Sequence, residues 1–189
     1  MKLENEKIII SILKEGGVGI LPTDTLYGIV GSAFSKPAVE KIYTLRKRNK
    51  RKPMIILIGS ISDLKKFDIL LNEKQKKILK KYWPGKISIV FPCALKEFEY
   101  LHRGKNSLAF RLPKEQWLQE LLKKSEPLVA PSANFEGEEP AKTIDEAKKY
   151  FSEKVDFYVD FKKLKSKPST IIALEGDELK LIREGAVKI

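Results

Sequence analysis

Arg111 lies inside an otherwise apolar run, LAFRLP. An arginine in such a strand must pair with a buried anion or point into a pocket, because leaving it unpaired costs several kcal/mol. Arg183, in LKLIREG, repeats the situation near the C-terminal end. More charge comes from RKRNKRKP, Arg46 to Pro53, which joins a predicted helix directly to a buried strand. Side chains tethered there sit near a sheet edge, where guanidinium groups suit bidentate capture of phosphate or carboxylate. Solvated charge is the bland alternative. Three polar clusters fall at predicted strand ends, where α/β sheets carry their chemistry. They are Thr23-Asp24-Thr25 after Pro22, Pro131-Ser132-Ala133-Asn134, and Ser169-Thr170. The first two read equally well as hydrogen-bonded turns.

Composition narrows the chemistry. A single cysteine, Cys93, and a single histidine, His102, exclude an internal disulfide and argue against a Cys/His zinc cluster or a Ser-His-Asp triad. Gly85-Lys86 has no partner glycine five positions earlier, so there is no Walker-A loop, and Gly16–Gly19 precedes a strand instead of following one. Lys and Arg total 37 against 25 acidic residues, a net charge of +12 that attracts phosphate in nucleotides or in RNA. With 189 residues and 42% hydrophobic content, the chain is expected to fold as one domain over 1–189. The start, MKLENEKIII, lacks a signal-peptide shape and no apolar stretch reaches membrane-span length, so a cytoplasmic protein without membrane partners is expected.

The positioning elements follow from periodicity and punctuation. Glu4 to Glu15 reads as a helix with Ile8, Ile9, Ile12 and Leu13 on one side, stopped by Gly16-Gly17. Strand 18–21 leads into PTDT, and 26–33 is extended, with Gly28 and Gly31 permitting close backbone approach. Ser35 caps a helix with Pro37 in its first turn and Val39, Ile42 and Tyr43 inward. Further strands are expected at 54–58, 86–91, 108–112, 128–130, 157–159, 170–174 and 179–183. Asn72 with Gln75, and Thr143 with Glu146, resemble capping boxes, and a short helix is expected around Trp117. Residues 92–106 read as a polar loop. Because 170–183 looks like a hairpin, the fold class is α/β with a mixed rather than purely parallel sheet.

In this order the clusters cease to look independent. GGVGILPTDTLYGIVGSAF, AVEKIYTLRKRNKRKPMIILI, YWPGKISIVF, LAFRLP, LVAPSAN with GEEPAKT, STIIAL and LIREGA together resemble the YrdC family, the threonylcarbamoyl-AMP synthases. The resemblance covers nearly the whole chain. It implies a twisted, mixed β-sheet flanked by helices, YrdC-like, with a concave, positively charged face. It further implies condensation of L-threonine, bicarbonate and ATP into threonylcarbamoyl-AMP for tRNA modification, with a downstream threonylcarbamoyl transferase as recipient. By position, the family's lysine-x-arginine pair falls on Arg46 and Arg48, and its serine-x-asparagine pair on Ser132 and Asn134. ATP contacts would fall on Arg48, Lys52, Ser107, Ala130, Ser132 and Arg183, and threonine contacts on Thr25, Arg111 and Ser169. Arg46 stands where the family usually has lysine, leaving Lys47 or Lys50 as alternatives for that role. Leu57 replaces a histidine found in some members, and Glu184 replaces a common proline. The chain looks like the short form of the family.

The mechanism implied is attack by a threonine carbamate oxygen on the α-phosphorus of ATP. Both reactants are anions, so a cleft of Arg46, Arg48, Lys52, Arg111 and Arg183 would act by positioning and electrostatics. Mg2+ would be held mainly by ATP and water. Asp24 reads as a turn former, with a place on that ion as the alternative. Two rival functions remain: an RNA-binding module without catalysis, and a carbamoyl-adenylate-forming domain of the hydrogenase-maturation type. The single cysteine argues against the second.

Overall fold

The computed structural model describes residues 3–161 and 163–189. Its first half runs α1 (Leu3–Lys14), β1 (Val18–Pro22), β2 (Tyr27–Ser32), α2 (Lys36–Leu45), β3 (Ile55–Leu57), α3 (Glu73–Tyr82) and β4 (Ile87–Pro92). Then come α4 (Glu99–His102), β5 (Ser107–Arg111), α5 (Gln116–Ser125), β6 (Leu128–Val129), α6 (Ile144–Phe151), β7 (Phe157–Tyr158), β8 (Thr170–Glu175) and β9 (Glu178–Arg183). The strands form one mixed sheet in the order β7-β1-β2-β6-β3-β5-β4-β8-β9. Short turns force antiparallel pairing of β1 with β2 and of β8 with β9. Longer crossovers set β3 parallel to β5, and β4 parallel to β8.

Alternation along the strands separates two apolar layers. Ile20, Ile29, Ile56, Phe110, Val129 and Ile172 face the main core with Tyr43 and Phe67. Leu21, Val30, Leu57 and Leu128 face the opposite way, under Leu13 of α1 and Leu118 and Leu121 of α5. On β5, Leu108 and Phe110 belong to the main core, whereas Ser107, Ala109 and Arg111 lie on the other face and join neither layer. That uncapped part of the sheet is where the polar strand ends gather.

Local chemistry explains most boundaries. Ser35 accepts the Ala38 N–H at the start of α2, with Pro37 in the first turn. Asn72 and Gln75 form the expected reciprocal box. The second expected box is half made: Thr143 accepts the Glu146 N–H, but Glu146 turns its carboxylate to the Lys142 N–H. Ile8 of α1 is 58% exposed instead of inward, because the helix buries Ile9 and Leu13. The stretch expected to be loop, 92–106, contains a 3-10 turn (Lys96–Phe98) and α4, organised by burial of Phe98 and Leu101. Gly31 admits α2: an added Cβ would lie 3.2 Å from both Ala38 and Ile42. Gly28 is under no such demand, its nearest neighbour being 3.5 Å away.

Candidate active site

PTDT closes the β1–β2 hairpin. Thr23 Oγ1 donates to the Leu26 carbonyl and accepts the Leu26 N–H, so the turn is self-supporting. That leaves Thr25 Oγ1 to accept from Arg111 Nη1 at 2.8 Å. Asp24 places its carboxylate 3.3 Å from Arg111 Nη2 and accepts the Lys114 N–H. Arg111 therefore meets both expectations for a strand arginine: it has a buried counter-ion, and it lines a hollow. Asp24 is the residue that sequence reasoning undervalued. With its carboxylate turned to Arg111 and the Lys114 N–H, Asp24 does not fit the alternative expectation of an Mg2+ ligand. Its signal was Arg111 itself, since a buried cation requires a carboxylate somewhere.

The basic loop begins where α2 ends. Arg46 is 3% exposed and donates through Nε to the Asn134 carbonyl and through Nη2 to Asn134 Oδ1, both at 3.1 Å, and to Ser132 Oγ at 3.4 Å. Arg46 thus fastens the PSAN turn to the end of α2. Asn134 spends its amide donors on the Phe135 and Glu138 carbonyls, so it shapes the turn and does not line the hollow. Arg48 curls back onto the Lys52 and Pro53 carbonyls. The two lysines weighed for the family's lysine role face elsewhere. Lys47 lies over the Phe135 ring at 4.3 Å, and Lys50 sits 3.4 Å from Glu40.

These segments converge on a hollow of about 190 Å³. Thr25, Arg46, Arg48, Arg111, Ala130, Ser132, Ser169 and Arg183 all line it, together with Gly28, Met54 and Ile55. Arg183 donates to the Ser169 carbonyl at 2.7 Å, and Ser169 shares a 2.9 Å hydroxyl contact with Ser88. Two predicted ATP contacts are not brought to this lining. The Lys52 ammonium reaches Glu136 at 2.6 Å. Ser107 shares Arg111's face of β5 but stands four residues away, roughly 13 Å along a strand.

Electrostatics define what the hollow takes. Four arginines and no acidic residue line it among the described residues. Burial and the Arg48 charge pull Arg46 down to about 10. Burial also lowers Arg111, against the pull of Asp24, and lowers Arg183 with a further push from Arg48. Arg46, Arg111 and Arg183 would regain proton affinity beside an anion. Arg46 Nη1 and Arg111 Nε are buried without a hydrogen-bond partner, as is Asp24 Oδ1, which meets Arg111 by charge and not by an aligned bond. Unsatisfied buried donors are rare and costly. A larger groove of about 540 Å³ beside α1 is apolar and carries Asp156 and Asp160, so it lacks the charge for an anionic ligand.

Comparison with known proteins places this geometry. The Sua5_yciO_yrdC family model, described as telomere recombination, matches residues 11–185. The chain belongs to the Sua5/YciO/YrdC family. Within that family it is 36% identical over 190 residues to a putative threonylcarbamoyl-AMP synthase of Methanocaldococcus jannaschii, covering 98% of this chain and 89% of the relative. It superposes on Pyrococcus abyssi Sua5 complexed with L-threonine with a TM-score of 0.90 at 27% identity, over 98% of this chain and 55% of that one. Escherichia coli YciO shares the fold, with a TM-score of 0.87 at 24% identity, over 99% of this chain and 92% of that one. The mixed sheet and flanking helices expected from the sequence are those of the family.

Proposed function

We propose that this chain is a threonylcarbamoyl-AMP synthase, making threonylcarbamoyl-AMP and pyrophosphate from L-threonine, bicarbonate and ATP. The observation that carries the reading is the convergence of Arg46, Arg48, Arg111 and Arg183 on one hollow beside the Thr25 and Ser132 hydroxyls. Pyrococcus abyssi Sua5, on which this chain superposes with a TM-score of 0.90, is complexed with L-threonine. In this reading Arg111 and Thr25 receive the amino acid, with Ser169 beside them. Arg48, Ser132, Ala130 and Arg183 receive the nucleotide, whose polyphosphate extends toward Lys52 and whose remainder runs along the β5 face toward Ser107. Mg2+ held by ATP and water would supply neutralisation of phosphate charge.

The chemistry demands little beyond this. Threonine's amine takes up CO2 derived from bicarbonate, the carbamate oxygen attacks the α-phosphorus, and pyrophosphate leaves. Two negatively charged reactants must approach within bonding distance, and guanidinium groups already held in place lower that repulsion without reorganising. No protein nucleophile is required, which suits a site built from arginines and hydroxyls. The test is incubation with ATP, Mg2+, threonine and bicarbonate, with mass-spectrometric detection of threonylcarbamoyl-AMP. Arg111→Ala should lose most of the threonine-dependent pyrophosphate release, and equal release by variant and wild type would defeat the assignment. Product formed from carbamoyl phosphate instead of threonine plus bicarbonate would favour the hydrogenase-maturation type of reaction.

A further inference from the structure

Glu136 stands just beyond the PSAN turn and reaches back across it to the basic loop. One carboxylate oxygen lies 2.6 Å from the Lys52 ammonium, and the other accepts the Asn49 N–H at 2.5 Å. Its backbone N–H donates to the Arg46 carbonyl at 2.9 Å, and its charge is felt by Arg46 and Arg48. An ammonium and a backbone N–H converging on anionic oxygens are the donors a phosphate group would use. The structure thus shows the basic loop already satisfying a carboxylate with the groups a polyphosphate would need.

We propose that Glu136 is a built-in competitor for the polyphosphate of the nucleotide, so that ATP displaces its carboxylate from Lys52 and Asn49 on binding. This rests on the nucleotide reading above and names a residue that sets the strength of that binding. Displacement requires only rotation of the side chain, because the loop is held independently. Asn134 Nδ2 donates to the Glu138 carbonyl, and the Ala141 N–H to the Ala133 carbonyl. Glu136 keeps its backbone bond to Arg46 in either position. The Lys52 side chain is 59% exposed, so the competing pair is screened by solvent and its removal should be worth about three- to fivefold in affinity.

The test is calorimetric titration of the full chain and of Glu136→Gln and Glu136→Ala with ATP and, separately, with AMP, which lacks the polyphosphate. Both variants should bind ATP about three- to fivefold more tightly, with AMP affinity within twofold of wild type. ATP affinity unchanged or weaker in both variants, with wild type binding ATP normally, overturns the Glu136 proposal and leaves the nucleotide reading intact. Equal tightening of AMP and ATP overturns it too, since the effect would then not concern polyphosphate. Failure of wild type and both variants to bind ATP at all would remove the nucleotide reading, and this inference with it.

Discussion

Replacing Asp24 by asparagine isolates the ion pair beneath the hollow. The Asp24 side chain is 1% exposed and that of Arg111 is 5% exposed, with 3.3 Å between carboxylate and guanidinium. Asparagine keeps an acceptor for the Lys114 N–H but removes the only carboxylate paired with Arg111 among the described residues. Breaking a buried pair from one side costs about 3–5 kcal/mol, because the remaining charge stays desolvated and uncompensated. For a chain of this size each kcal/mol moves Tm by about 2–4 °C, so Asp24→Asn should melt roughly 6–20 °C lower. Against a total stability of about 5–15 kcal/mol, the variant stays mostly folded at room temperature wherever the starting value exceeds the loss by about 1.4 kcal/mol or more. Urea unfolding measures the loss. Asp24→Asn combined with Arg111→Met should recover much of it, since a neutral apolar side chain tolerates burial where an unpaired guanidinium does not. Threonine binding should not recover in the double variant, which separates the role of Arg111 in stability from its role toward substrate. A loss below about 1 kcal/mol in the single variant would refute the reasoning, as would a double variant whose loss equals the sum of the two singles.

Arg46→Ala should cost about 2–4 kcal/mol and abolish product formation, because it strips the Asn134 carbonyl and carboxamide oxygen of a charged donor. Arg46→Lys, the residue usual in the family, should retain charge and part of the activity, with denaturation and pyrophosphate release as the two readouts. Gly31→Ala should destabilise by about 1–2 kcal/mol, since its Cβ would press on Ala38, Ile42 and Val18, and any shift of α2 should carry Arg46 with it and lower turnover. Equal stability and turnover in that variant would show that α2 has room to give.

Local signals were enough for much of the architecture. Ser35 with Pro37 placed the start of α2, and Asn72 with Gln75 that of α3, because capping chemistry is settled within four residues. The hairpin expected over 170–183 is β8–β9, and with it the sheet is mixed. Where local reading failed, distant packing was responsible. Residues 92–106 carry too little periodicity to announce α4, which forms because Phe98 and Leu101 find the main core. Glu146 chose the Lys142 N–H over the box partner, a choice between two nearby donors that spacing cannot make.

LAFRLP alone requires an anion or a pocket for its arginine, and one cysteine with one histidine leaves no Cys/His machinery. Those conclusions rest on composition and on desolvation, which require no coordinates. That the anion is Asp24, 87 residues earlier, and that Lys52 faces Glu136 follow from the folded arrangement of the chain. It also decided that Asn134 serves the turn and leaves the lining to Ser132. Side chains so far apart in the chain meet only once β1, β2, β5 and the PSAN turn are set side by side in one sheet, and no local propensity encodes that juxtaposition.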